Sequence, residues 1–385
     1  MPSVVATLFF FCALAIGWWM GRRSLSRTQP PTEPNLRARV HSMHNLLERH
    51  SDDALESLSQ GLVVNPETLE SHLHVGNLFR RRGDIEKAIH IHQDLLGRAG
   101  EDGSLVAQVR LELARDYIAG GLLGSAEELL DELTQQRDGP ISLEALDEQR
   151  LICEREKNWS RAIELAARLV PSRPELSAAL ANYYCELAQE KGKSGDRSAM
   201  QELLREARRV DKRCVRALLM RLECELWRKD RIAAMATLRE VVQDAEAYVG
   251  EIVPLLRRFE ANQWPDLIAF LGELALRHQL PPSVLAWLME VDVDSGADYW
   301  REQMISRVRQ QPSWQGVGEY VAAVEVDCDH PHSIEKMSPI IIGLYKTMAR
   351  YRCGKCGFAG RELHWQCPGC HAWNSLAPIR AISAG

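Results

Sequence analysis

Apolar positions along the middle of the chain recur at helical spacing and are interrupted at regular intervals. From Glu67 to Leu96, Leu73, Val75, Gly76 and Phe79 fall on one helical face. Gly83-Asp84 breaks that run, and Asp84 is placed to cap a second helix whose inner face carries Ala88, His92 and Leu95. Asn65-Pro66-Glu67 supplies the first helix with an N-cap, a proline at N1 and an early acid. The pattern recurs. Ala54, Ala88, Ala126, Ala162, Ala199 and Ala233 take the same slot in six successive helix pairs, at steps of 34, 38, 36, 37 and 34 residues. Ala114 and Tyr117 repeat the small and aromatic positions of Gly76 and Phe79, and Pro66 and Pro174 each follow their alanine by twelve residues. A small side chain at these points lets paired helices approach closely. No pair buries its apolar face alone, so stacking is obligatory.

The arrangement resembles the tetratricopeptide repeat, whose period is about 34 residues. Another α-solenoid or a plain helical bundle is the alternative. Past the sixth slot the match weakens, although Asp266–Leu271, Pro282–Glu290 and Tyr299–Gln310 still read as helices. Seven to nine helix pairs are expected, degenerate towards the C-terminal end. Such arrays usually carry no chemistry; their concave wall, lined by first-helix side chains, binds peptides or folded partners. The candidate partner-binding residues are Asn77, Arg80, Arg81 and Arg115. Each reads equally well as a solvated surface residue.

The N-terminal pattern is different. Val4 to Met20 is an uncharged, almost wholly apolar run, about 26 Å long as a helix. Trp18 and Trp19 end it where an interfacial aromatic belt belongs, and Arg22, Arg23 and Arg27 follow. That order predicts a retained transmembrane anchor with the body on the cytoplasmic side. A cleaved signal peptide is disfavoured because no Lys or Arg precedes the run. Ser24 to Pro34 is polar and proline-rich, a linker. The expected divisions are an anchor over 1–21, a linker over 22–36, the repeat array over 37–337, and a connecting helix with a metal domain over 338–385.

The C-terminal end carries the chemistry. Cys353-Gly-Lys-Cys356 and Cys367-Pro-Gly-Cys370 are two Cys-x-x-Cys pairs ten residues apart. That spacing suits a four-thiolate cage for one metal ion, zinc or iron; two disulfides are the rival reading. Gly354, Gly357 and Gly369 can take positive φ in the tight turns, and Pro368 pre-sets one of them. Ser338 to Arg350 reads as an amphipathic helix, Gly360 to Gln366 as a ribbon strand, and Phe358, Leu363, Trp365 and Trp373 as a miniature core. His364 and His371 flank the pairs and offer substitute ligands.

Composition narrows the rest. The formal charge is −6 and the pI about 6.1, against a general nucleic-acid binder. Cys12, Cys153, Cys185, Cys214, Cys224 and Cys328 are scattered and read as buried free thiols in a reducing compartment. His72/His74 and His90/His92 are two apart and point away from each other on a helix, so each pair is a poor chelate; His41 and His44 lack further ligands. There is no glycine-rich phosphate loop, nucleophile elbow or His-Glu-x-x-His motif, and an enzyme is not expected.

Taken together, the anchor ending Gly17-Trp-Trp-Met-Gly-Arg-Arg23, the repeats, and Tyr351-Arg-Cys-x-x-Cys-Gly-Phe358, Trp365-x-Cys-Pro-x-Cys370-x-Ala-Trp373 and Pro378-Ile-Arg380 resemble the lipopolysaccharide assembly protein B (LapB/YciM) family. The resemblance covers essentially the full length, and its specific parts are the two ends. The fold class it implies is all-α: a tetratricopeptide α-solenoid with a single N-terminal transmembrane helix and a small rubredoxin-like/zinc-ribbon metal domain. The resemblance further implies a single-pass protein of the bacterial inner membrane, facing the cytoplasm. It implies an adaptor that promotes FtsH-dependent proteolysis of the lipid A deacetylase LpxC, controlled by an inner-membrane lipopolysaccharide sensor. A homodimer is compatible with it and a nucleic-acid partner is not expected. The competing reading of the thiolates is a rubredoxin-like redox or electron-transfer protein on a helical-repeat scaffold.

Overall fold

The structure is a computed structural model that describes residues 69–98, 103–135, 139–260, 264–277, 280–292, 296–310, 314–324, 341–343 and 345–379. The expected anchor with Trp18, Trp19, Arg22 and Arg23, the linker, the first slot at Ala54, the Asn65-Pro66 cap, His41, His44, Cys12 and Cys328 lie outside these residues. Among the described residues no helix is long and apolar enough to cross a membrane.

The chain divides into two compact units, one up to Ala145 and one from Leu146. The first holds α1 (Leu69–Arg82), α2 (Ile85–Arg98), α3 (Gly103–Ala119) and α4 (Leu123–Gln135), and α5 (Pro140–Arg155) begins in it. Within this unit α1 packs on α2, α2 on α3 and α3 on α4. The predicted inner positions are the buried ones: Leu73, Val75, Phe79, Ala88 and Leu95 are all at or below 4% exposure, and so is His92. The His pairs split as helix geometry requires, with His72 and His92 buried and His74 and His90 exposed.

Gly76 is small for a specific reason. A Cβ there would lie 2.4 Å from His92 Nε2, so the imidazole occupies the space that any side chain would need. His92 in turn places Nδ1 2.5 Å from Asp116 Oδ2, and Asp116 Oδ1 accepts from Arg80 at 2.7 Å. Gly76→Ala must push His92 off this buried carboxylate. It is expected to cost about 2–3 kcal/mol, read as a lowered urea midpoint at unchanged slope.

Five turns between paired helices are built the same way. Gly83, Gly121, Lys157, Gly195 and Lys229 have φ between 57 and 89°, and the next residue starts the following helix. That next residue's N–H returns to the carbonyl five residues back, as in Asp84 to Phe79 and Asn158 to Cys153, which satisfies an orphan carbonyl at the helix end. Asn158, Asp196 and Asp230 then cap with their side chains. Lys157 and Lys229 hold a left-handed conformation that favours glycine. Lys157→Gly and Lys229→Gly are each expected to stabilise by about 1 kcal/mol in thermal unfolding, since the left-handed cost disappears.

These turns correct the repeat register. Ala88, Ala126 and Ala162 sit four residues after Asp84, Leu122 and Asn158, the residues that follow the left-handed ones, and bond back to their carbonyls, all at 0% exposure. In the next two pairs that place belongs to Met200 and Ala234, whose N–H groups bond to Asp196 and Asp230. Ala199 and Ala233 instead give their N–H groups to the capping carboxylates and are half-buried. Met200 fits because its sulfur lies over Gly192, 2.9 Å from where a Cβ would be.

The second unit continues with α6 (Trp159–Leu169), α7 (Ser177–Lys193), α8 (Arg197–Val210), α9 (Val215–Trp227) and α10 (Arg231–Asp244). A 3₁₀ turn over Glu246–Glu251 leads into α11 (Ile252–Arg258), α12 (Pro265–Arg277), α13 (Pro282–Val291), α14 (Ala297–Gln310) and α15 (Trp314–Val324). The three weaker helical stretches in the sequence are α12, α13 and α14. One core runs from Leu218 to Met304, with Trp287 and Trp300 at its centre.

The expected connecting helix is helical at 341–343 and 345–347 and ends there; residues 348–350 turn into the sheet. Tyr345 packs on Gly318, where a Cβ would come within 2.4 Å of its ring, and its hydroxyl donates to Glu319 at 3.1 Å.

Candidate metal centre and its docking face

The C-terminal head is a three-stranded antiparallel sheet in the order β2 (Ala359–Gly360), β1 (Tyr351–Cys353), β3 (Leu376–Pro378). The expected strand over 360–366 stops at Gly360; only Gln366 pairs further, in a single bridge with Trp373. The head's own core is Tyr351, Cys353, Cys367 and Leu376, with Phe358 and Leu363 packed on it.

Two knuckles bring four sulfurs together. In the first, Gly357 N–H donates to Cys353 O at 3.0 Å; in the second, His371 N–H donates to Cys367 O at 2.9 Å. The left-handed residue is the one after each second cysteine, Gly357 at φ 79° and His371 at φ 55°. This corrects the expectation for Gly354 and Gly369, which do not adopt positive φ. His371 serves by its backbone, and the sulfur cluster includes neither it nor His364.

The Sγ atoms of Cys353, Cys356, Cys367 and Cys370 all lie within 4.8 Å of one another. Cys353 to Cys370 is 3.7 Å and Cys356 to Cys367 is 3.6 Å. A tetrahedral ion with metal–sulfur bonds of about 2.3 Å needs sulfurs about 3.8 Å apart, so the cage fits one ion and no disulfide is formed. Four soft thiolates hold zinc and iron alike. The Ser375 hydroxyl beside Cys353 Sγ, at 3.3 Å, and backbone N–H groups pull that thiol down to about 5. Ser375 carried no sequence signal; it is brought in by the β1–β3 pairing of Cys353 with Leu376.

Trp365 and Trp373, read from the sequence as head core, face the helices instead. Trp365 stacks on Tyr248 at 6.4 Å and Trp373 meets the Tyr183 ring edge-on at 5.8 Å. Asn182 donates to Asn374 at 2.9 Å, Tyr248 to the Leu376 carbonyl at 2.9 Å, and Tyr351 to Glu251 at 2.5 Å. Glu154 is the hub. Its carboxylate accepts from Arg150 at 3.1 Å, from the Tyr183 hydroxyl, and from Gln366 of the head. Burial, with Glu154 adding to it, pushes Tyr183 far above an ordinary phenol, so it remains a donor. Spacing along the chain gives no hint of these partners.

The expected partner-binding residues lie elsewhere. Arg80 bonds Glu112 at 2.6 Å and Asp116 at 2.7 Å, and Arg115 bonds Glu112 and Glu144 at 2.8 Å each. These pairs lock neighbouring helices of the first unit. Arg81 is exposed, and Asn77 Oδ1 is buried without a hydrogen-bond partner among the described residues.

Fold and site together define a tetratricopeptide-type helical-repeat protein that carries a four-cysteine metal head docked on its own helices. The head, residues 351–378, matches the family model described as a rubredoxin metal binding domain. Along nearly its whole length the chain is homologous to Lipopolysaccharide assembly protein B. It is 28% identical to the Escherichia coli K12 protein over 381 residues, covering 96% of each chain. It is 29% identical to that of Haemophilus influenzae Rd over 388 residues, covering 95% of this chain and 96% of the other. Among solved structures, a tetratricopeptide repeat protein from Parabacteroides merdae overlaps 72% of this chain and 99% of its own at 12% identity and a TM-score of 0.35.

Proposed function

We propose that this chain acts in lipopolysaccharide assembly as a non-enzymatic adaptor, anchored in the inner membrane with its body in the cytoplasm. It presents the lipid A deacetylase LpxC to the membrane protease FtsH, and a lipopolysaccharide sensor acts on it through the anchor. The observation that carries this reading is the likeness to Lipopolysaccharide assembly protein B over 96% of both chains. Three features support it. The apolar Val4–Met20 run followed by arginines fits a cytoplasm-facing anchor. Tethering raises the local concentration of the body beside other membrane proteins without any new contact. The metal head is fastened to the helices by Gln366, Asn374 and Tyr351, so cage and helices offer a partner one continuous surface. Arg81 and Asn77 remain the candidate client contacts on the first unit.

The test is the half-life of LpxC in cells with this chain, without it, and with Cys353→Ser. Loss of the chain is expected to lengthen the half-life several-fold, with Cys353→Ser reproducing most of the loss. An unchanged half-life in the deletion would defeat the adaptor reading.

A further inference from the structure

Two cysteines outside the head face each other. Cys185 lies on α7 and Cys214 immediately precedes α9; both are at 0% exposure, with their sulfurs 3.8 Å apart. Ala181, Ala188, Leu204, Ala207 and Ala217 pack around them, and Arg216, Glu186 and Asp211 lie near enough to act on their charge. Cys214 holds the N-cap position of a 13-residue helix, where unpaired backbone N–H groups favour a thiolate. The hydrogen bond from Cys185 lowers the Cys214 thiol, and the Ala217 N–H adds to this against burial. Burial pushes Cys185 well up. One sulfur therefore keeps its proton while its neighbour is the better nucleophile, the asymmetry that thiol–disulfide chemistry uses. A cavity of about 540 Å³ is lined by Arg213 and Val215, the residues on either side of Cys214, and by Trp365 and Asn374 of the head. Neither cysteine lines it, so a solute in the cavity is one residue along the chain from Cys214 and needs a local opening to reach its sulfur.

We propose that Cys185 and Cys214 form a reversible modification site, a dithiol that a small hydroperoxide converts to a disulfide tying α7 to α9. The Cys214 thiolate attacks the peroxide oxygen, forming a sulfenic acid and releasing hydroxide. Cys185 gives up its proton and attacks Cys214 Sγ; the S–S bond forms and the sulfenic oxygen leaves as water. In sum two thiols and one hydrogen peroxide give a disulfide and two waters. The sulfurs must close by about 1.8 Å to reach disulfide length. Reversible intracellular disulfides of this kind are commonly redox-sensing. Because α7 carries Asn182 and Tyr183, the tie is made inside the platform that holds the head.

The full-length, metal-loaded, reduced protein is treated with hydrogen peroxide, alkylated under denaturing conditions and digested without reductant. Mass spectrometry is expected to show the Cys185 and Cys214 peptides leaving the alkylated pool as one cross-linked peptide, two hydrogens lighter than their sum and restored by dithiothreitol. In Cys185→Ser, dimedone labelling of Cys214 is expected to rise several-fold over wild type. Full alkylation of both cysteines while the head's cysteines oxidise would overturn the proposal. So would equal dimedone labelling in variant and wild type.

Discussion

Stripping the metal, or replacing Cys367 with serine, is expected to unfold residues 351–378 while the helices keep their far-UV signal. The head's own core is four buried residues, two of them ligands, which is too little apolar surface for so short a segment to fold alone. A structural four-cysteine ion supplies about 10–16 kcal/mol of binding free energy, and here that is the head's folding free energy. Cys367 is at 0% exposure, so serine there loses a ligand and also places a hydroxyl in the core. Arg352, Lys355 and Arg361 are exposed in the head and offer trypsin its sites once the knuckles open. Rapid cleavage at these positions after chelation is the expected result. A head that resists trypsin with its metal demonstrably gone would contradict the account.

Glu154→Ala is expected to be among the most damaging single changes on the helical side. It takes one of two carboxylate partners from Arg150, whose side chain is 6% exposed and which keeps Asp147 at 2.5 Å, removes the acceptor of the Tyr183 hydroxyl, and leaves Gln366 only the His371 carbonyl. Because Asp147 still pairs with Arg150, the loss is that of buried hydrogen-bond partners, about 1–3 kcal/mol. Glu154→Gln keeps an acceptor and is expected to cost about half as much. Metal content should stay at one ion per chain in both, because no ligand is touched. Urea unfolding with parallel metal assay separates the cases. A loss in Glu154→Ala below about 1 kcal/mol would mean that the hub is not buried as described.

The metal cage was legible in the sequence because its chemistry is local: two knuckles, each closed by a bond between residues four apart. The helix pairs were legible through the same kind of signal, apolar spacing broken at Gly83-Asp84 and small residues recurring at near-constant steps. Register was less so. Lys157 and Lys229 take the left-handed turn that glycine marks elsewhere, and two adjacent alanines at 233 and 234 gave no way to choose the buried one. A head this small is expected to pack on the array, at its last helices; the partners it meets, Glu154, Asn182, Tyr183, Tyr248 and Glu251, were not legible. Gln366 and Glu154 are 212 residues apart, and Tyr351 and Glu251 are 100 apart, so only the folded backbone brings them together. That is why Trp365 and Trp373 looked like head core: sequence shows that a tryptophan needs burial, but not which surface provides it.

The most direct test of a metal-folded head docked on its own helices is hydrogen exchange on the full-length protein with and without metal. Chelation is predicted to abolish protection across 351–378 and to lower it at 177–193 and 246–251, where the head rests, while α12 to α14 keep theirs. Lost protection in the head with none lost on those two helical stretches would show that the head does not dock there.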